Sequence, residues 1–336
     1  MVGREGRSAP STIRAGDEGK DGLSTSESPR RRPSREAATL ARLDARTWPR
    51  QTPRYRALDL AFSVRLMGDD LADYIEHIFS SLRAGRGASP TEPAHVYSVL
   101  DEGERYQRRY AVYFDGQPIV RTPSEPMALV YLLWHLNRAV VEASNRWLLL
   151  HAAAAEHEGA AVVLPAPMDS GKTTLVAGLV VRGLGYLTDE TVAIDLATRR
   201  VDPYPKPLSI ELGSWETLPS LRPQLDARFA RFHDELWHVV PDAIRPGAAA
   251  GPSTPRVVVT PRFESGARTA IEPMSRAEAV MMLAENAFNF ASHKAAGLDA
   301  LAAIVRNCEC YRMTVGTLDD ACDAILDVVS NLEAKV

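Results

Sequence analysis

Residues 165–174 read Pro-Ala-Pro-Met-Asp-Ser-Gly-Lys-Thr-Thr and stand between an apolar run and an apolar helical pattern. Holding a phosphate requires several backbone N–H groups converging on an anion at the start of a helix, whose dipole favours negative charge. It also requires a mobile cation and a hydroxyl for magnesium. Pro167, Met168, Asp169, Ser170, Gly171, Lys172, Thr173 and Thr174 form the candidate loop. Its amides from 168 to 173 would cradle the phosphates, Lys172 would reach the β- and γ-phosphates, and the Thr173 hydroxyl would ligate Mg2+. The match to G-x-x-x-x-G-K-[ST] departs at its first glycine, where Ala166 stands, which is workable while φ stays negative. Asp169 adds a negative charge beside the expected phosphates, so it must point outward or pair with a base.

Acids follow 17 residues after Lys172, in Tyr-Leu-Thr-Asp-Glu-Thr-Val-Ala-Ile-Asp at 186–195. A carboxylate at a strand end beside phosphates can hold Mg2+ or take a hydroxyl proton. Asp189 and Glu190 are the candidates, with Asp195 just beyond the strand. Lys206 and Arg262 are cations that could balance transition-state charge or simply face solvent. His151 lies on the strand before the loop, where a lone histidine on an apolar strand reads first as a core residue.

These residues need a strand–loop–helix frame. Residues 147–155 and 160–164 read as two strands joined at Glu158-Gly159, then the loop, then a helix from 173 to 182 that Gly183 can stop. A further strand is expected over 187–194. Upstream, residues 54–145 read as a small α+β module, with a helix near 70–82 and strands at 94–100 and 110–120 broken at Asp115-Gly116. A helix from Ser124 to about Ala143 closes it. Downstream, Ser275-Arg-Ala-Glu278 is a capping box, a last helix starts at Thr317, and residues 241–256 read as a mobile loop.

The chain has 336 residues, 45% hydrophobic and 24% charged, with a formal net charge of −4. That does not point to nucleic acid as a partner. Residues 1–56 hold 13 Lys/Arg against 7 Asp/Glu, and the first 53 are expected to be a disordered basic tail, too poor in apolar residues to offset their ordering entropy. Residues 1–30 show no apolar secretory core, and the most apolar run, 128–136, falls short of the roughly 20 residues a membrane span requires. The expectation is a cytoplasmic protein without membrane contact. Cys308, Cys310 and Cys322 match no common zinc spacing and read as structural thiols.

Leu150-His151-Ala152, residues 163–175 and Gly185-Tyr-Leu-Thr-Asp-Glu-Thr-Val192 together resemble the HPr kinase/phosphorylase-like kinases. The similarity lies with the looser relatives that phosphorylate serine-containing peptides in lasso-peptide pathways. Residues 204–215, Pro261-Arg262-Phe263 and residues 285–290 extend it across roughly 145–330. The resemblance implies an α/β fold: a mixed-sheet kinase domain of the HPr kinase/phosphoenolpyruvate carboxykinase type over 146–334, after the module and the tail. It implies ATP and Mg2+, with transfer of the γ-phosphoryl group to a Ser/Thr hydroxyl of a peptide or protein, or to a small-molecule hydroxyl. Asp189 falls where the family has its catalytic base, Glu190 where a second acid assists the metal, and His151 where a histidine stands near the site. Relatives often form rings, so a homo-oligomer is possible. The chain departs from the family at Ala166, Asp169 and Glu190, which keeps open a nucleotide-binding regulator or assembly subunit without efficient transfer.

Overall fold

The structure, a computed structural model, describes residues 34–84, 94–103 and 108–333. Residues 1–33 of the expected tail lie outside the described residues. The rest of that stretch is ordered. Ser34 caps helix α1 (Arg35–Asp44) by accepting from the Ala37 amide. Leu43 on this helix is buried with Leu100, Ala111 and Tyr113. The tail boundary expected at residue 53 therefore shifts, because one leucine and Trp48 give this short stretch an apolar face to bury.

The N-terminal sheet contains β1 (Arg50–Gln51), β2 (Tyr55–Ala57), β3 (Leu60–Leu66), then, after helix α2 (Asp69–Ile78), β4 (His95–Asp101), β5 (Tyr110–Phe114) and β6 (Gln117–Thr122). Asp115 and Gly116 take positive φ angles, the geometry of a tight hairpin turn between β5 and β6. Helix α3 (Glu125–Ala143) is capped by Ser124 and packs Leu129, Leu132 and Leu136 onto this sheet. Phe62 centres the core, with Phe79 and Tyr97 edge-on at 5.6 and 5.9 Å. Tyr204, Phe229 and Phe232 from later in the chain enter the same cluster, so the module shares its core with the segment that follows the acid pair.

The second sheet is built from β7 (Trp147–His157), β8 (Ala160–Pro165), β9 (Gly185–Thr188), β10 (Thr191–Asp195), β11 (Val201–Asp202), β14 (Thr254–Phe263), β15 (Ala270–Pro273) and β16 (Glu309–Val315). A separate hairpin pairs β12 (Leu208–Glu211) with β13 (Leu236–Val239). The large sheet is mixed: β14 runs parallel to β8 and β16, while β7 pairs antiparallel with β8, β9 and β10. Alternation along the strands fills two layers. Ala153, Ala155, Val162 and Leu164 face helices α4 (Lys172–Val181) and α8 (Leu318–Glu333), and Leu150, Ala152, Ala154 and Val163 face α6 (Arg276–Glu285) and α7 (Phe290–Arg306). The α6 capping box at Ser275 and Glu278 is present.

Residues 241–256 are not a mobile loop. They open with helix α5 (Pro241–Ile244), and the Tyr186 amide donates to Ala248 O at 2.6 Å while the Ala250 amide donates back to Tyr186 O. Backbone pairing with β9 supplies the order that a Pro/Gly/Ala composition hides. Among the described residues no helix is long and apolar enough to cross a membrane. All three cysteines are buried free thiols, and burial pushes Cys308 and Cys322 up to about 12.

Candidate functional site

The loop between β8 and α4 has its two positive φ angles at Asp169 (60°) and Gly171 (84°), not at Ala166. Ala166 is fully buried, so the alanine is accommodated as an ordinary residue while the left-handed step falls on Gly171, where it costs little. Asp169 points to solvent. Lys172 begins α4 with its ammonium folded over the loop, 2.8 Å from Ala166 O and 2.5 Å from Pro167 O. Burial lowers its pKa, and the charges of Glu190, Asp169 and Asp189 work in the opposite direction. Thr173 is half-buried, and Thr174 hydrogen-bonds Ser214 at 2.7 Å.

The strand expected over 187–194 is broken in two at Asp189-Glu190. Both halves pair with β7, with Thr188 opposite Ala154 and Thr191 opposite His151. The break turns the two carboxylates in different directions. Asp189 is buried, and its Oδ1 accepts from the Tyr186 hydroxyl at 2.9 Å while its Oδ2 accepts from the Ser209 amide at 3.1 Å. Lys206 Nζ stands 2.8 Å from Asp189 Oδ1 and 3.2 Å from Glu190 Oε2. Burial alone would lower the Lys206 pKa, but the Asp189 and Glu190 carboxylates outweigh it and hold the ammonium above its ordinary value. Glu190 is more open. Its Oε2 accepts from Asn137 Nδ2 at 2.7 Å, and Asn137 in turn accepts from the Tyr204 hydroxyl at 2.9 Å.

His151 sits half-buried on β7, its ring 5.6 Å from that of Phe288. Burial and the charge of Lys172 lower its pKa, opposed by Glu190, so the imidazole is neutral at pH 7. His151 stands opposite Thr191, the residue after Glu190, so β7 brings the histidine beside the acid pair. Asp195 does not join them. It is buried at the end of β10, accepting from the Ala197 and Thr198 amides of the following turn and paired with Arg146. Arg262 is exposed at the end of β14 and makes no ion pair with the acids.

Lys206 is the largest revision. It offsets one of the two negative charges of the acid pair from inside and is not a free surface cation. Asn137 and Ser209 were not singled out from sequence, since they reach their carboxylates from distant positions in the chain, and Tyr204 acts only through Asn137; Tyr186, three residues before Asp189, was within reach of local spacing and was missed. Asn137 did carry a signal, as a lone amide in the apolar helical run 125–143. A cleft of about 780 Å3 opens beside the loop. It is lined by residues 169–175, by 209–211 and Ser214, and by Phe263 and residues 315–319, and it includes neither acid of the pair.

No group of three or more His, Cys, Asp or Glu among the described residues is arranged to hold a metal ion. Magnesium commonly takes one or two protein ligands and completes its shell with phosphate and water. The Thr173 hydroxyl and the Glu190 oxygen left free by Asn137 and Lys206 suit that role better than Asp189, whose oxygens already meet three donors.

No family model matches the chain, and no curated protein matches it. Among solved structures, the HPr(Ser) kinase/phosphatase from Coxiella burnetii aligns at 10% identity, covering 56% of this chain and 97% of that one, with a TM-score of 0.30. This is a distant structural relationship.

Proposed function

We propose that this chain is a kinase that transfers the γ-phosphoryl group of ATP to a hydroxyl, with Mg2+ as the ion that would offset phosphate charge. One observation carries the reading: the loop bearing Lys172 follows β8, and β7, which pairs with β8, also pairs with β9 and β10, whose junction carries Asp189 and Glu190 bridged by Lys206. Phosphoryl transfer asks little covalent chemistry of a protein and depends on positioning and charge. Loop amides and Lys172 would bind the phosphates, the ammonium leaving the Ala166 and Pro167 carbonyls for phosphate oxygens. Thr173 and Glu190 would hold the ion. The acceptor oxygen would bond to the γ-phosphorus as the bond to the β-phosphate oxygen breaks, and the acceptor proton would pass to Asp189, oriented by Tyr186 and Ser209. His151, neutral, can donate or accept one hydrogen bond beside the transferring group. The cleft beside Thr174 and Phe263 has ample volume for a nucleoside.

Calorimetric titration with Mg-ATP tests the phosphate site. Wild type is expected to bind and Lys172→Ala to lose binding; a folded wild type that binds no nucleotide would overturn the proposal. A second reading, a nucleotide-binding regulator without efficient transfer, is favoured by one feature: three donors on Asp189 weaken it as a base. Asp189→Asn separates the two. In a kinase it abolishes transfer and spares ATP binding, and in a regulator it changes neither.

A further inference from the structure

Helix α3 presents Met127, Val130, Tyr131 and Trp134 on one face, at the i, i+3, i+4, i+7 spacing of a single stripe. They are 37%, 40%, 40% and 59% exposed. Isolated exposed apolar side chains need no explanation, but a row of four in register marks a contact surface. The opposite face of the helix is already committed to the module core through Leu129, Leu132 and Leu136.

The stripe continues toward the candidate site. Asn137, one turn beyond Trp134, donates to Glu190, and Val141, one turn further, packs against Trp147, Leu149 and Ala193. One line of side chains is therefore covered by the catalytic sheet over its C-terminal half and uncovered over its N-terminal half. The boundary falls at the more open of the two acids. The nucleoside-sized cleft is lined by none of Asn137, Glu190 and His151.

We propose that the exposed stripe of α3 docks the acceptor, and that the acceptor is a peptide with apolar or aromatic side chains close to its hydroxyl. This rests on the kinase reading above. From Met127 to Asn137 the helix advances about 15 Å, at roughly 1.5 Å per residue. An extended peptide spans that length with about five residues. The apolar side chains therefore fall within about five positions of the hydroxyl that reaches the acid pair. A small-molecule acceptor would use no surface of this length. Trp134, the most exposed of the four and the nearest to Asn137, is the anchor.

The test uses two fluorescein-labelled nonapeptide pools with a central serine, one with apolar and aromatic flanks and one with polar flanks. Binding is read by fluorescence polarisation with a non-hydrolysable ATP analogue present, and transfer is read separately with ATP. The apolar pool is expected to bind wild type at least about tenfold more tightly than the polar pool. Trp134→Ala should weaken that binding roughly 30-fold, as removal of an anchoring tryptophan does, with nucleotide affinity unchanged and Trp134→Phe keeping most of it. Equal binding of the two pools, or no effect of Trp134→Ala, overturns the proposal. So does a change in oligomeric state with unaltered peptide binding, which would assign the stripe to a second copy of the chain. Stripe-dependent binding without transfer keeps the docking surface and overturns the kinase reading, and transfer without preference between pools does the reverse.

Discussion

Replacing Lys206 by methionine removes the ammonium that bridges Asp189 and Glu190 while keeping most of the side-chain volume. At 2.8 Å the attraction to Asp189 is about 6 kcal/mol for an effective dielectric of 20. The burial of the ammonium offsets part of this, and the contact with the more open Glu190 is screened. Breaking one partner out of a buried pair leaves an uncompensated charge and costs about 3–5 kcal/mol, a large share of the roughly 5–15 kcal/mol that stabilises a folded domain. Urea denaturation followed by tryptophan fluorescence should show the midpoint falling by about 1 M or more. The loss should also depend on pH. Without the ammonium, the buried Asp189 carboxylate takes up a proton more readily in the folded than in the unfolded chain, so the folded state binds more protons. Stability of the variant then falls as pH rises, and the deficit is larger at pH 8 than at pH 5.5. Adding Asp189→Asn to Lys206→Met should recover most of the loss, because only the more open Glu190 is then left without its cation. A deficit below about 1 kcal/mol at both pH values, or no recovery in the double variant, would refute the account of Lys206 as the buried counter-charge of Asp189.

Asp169→Gly removes an exposed negative charge and a non-glycine positive φ from the loop, so ATP affinity by calorimetry should rise about two- to fivefold. Burial lowers His238 from 6.5 to about 3. The unfolded chain then binds the extra proton between those values, so stability is complete above pH 6.5 and falls by about 1.4 kcal/mol per unit as pH drops below it. His238→Gln should flatten that acid-side slope in denaturation curves, by about 2 kcal/mol at pH 5. A Cβ on Gly178 would stand 2.8 Å from Cys322 Sγ and from a Leu318 methyl, so Gly178→Ala should force α4 from α8 and cost about 1–3 kcal/mol, visible as a lower melting temperature.

Local chemistry made several parts of this protein readable from sequence. Gly171-Lys172-Thr173 after an apolar strand announced the loop, because few other residues tolerate the left-handed step and supply the cation and hydroxyl together. Asp115-Gly116 and Ser275-Glu278 likewise carry their turn and cap in their own side chains. Those elements depend on contacts within a few residues, which spacing records.

Contacts far apart in the chain were decided only by the tertiary structure. Lys206 is an ordinary cation in sequence, and only the return of residues 202–209 against β9 buries it between two carboxylates. The strand over 187–194 was expected to be continuous, but pairing with both halves of β7 breaks it at the acids. Backbone pairing with Tyr186 ordered a segment whose composition reads as loop, and Leu43 drew residues expected in the tail onto the N-terminal sheet. Asn137 reaches Glu190 from 53 positions away. The sequence by itself determined which groups could act on a phosphate, since that rests on residue type and local backbone. Which of them are neutralised, which remain open, and what stands beside them followed from long-range burial, where the desolvation of one charge depends on partners that spacing does not encode.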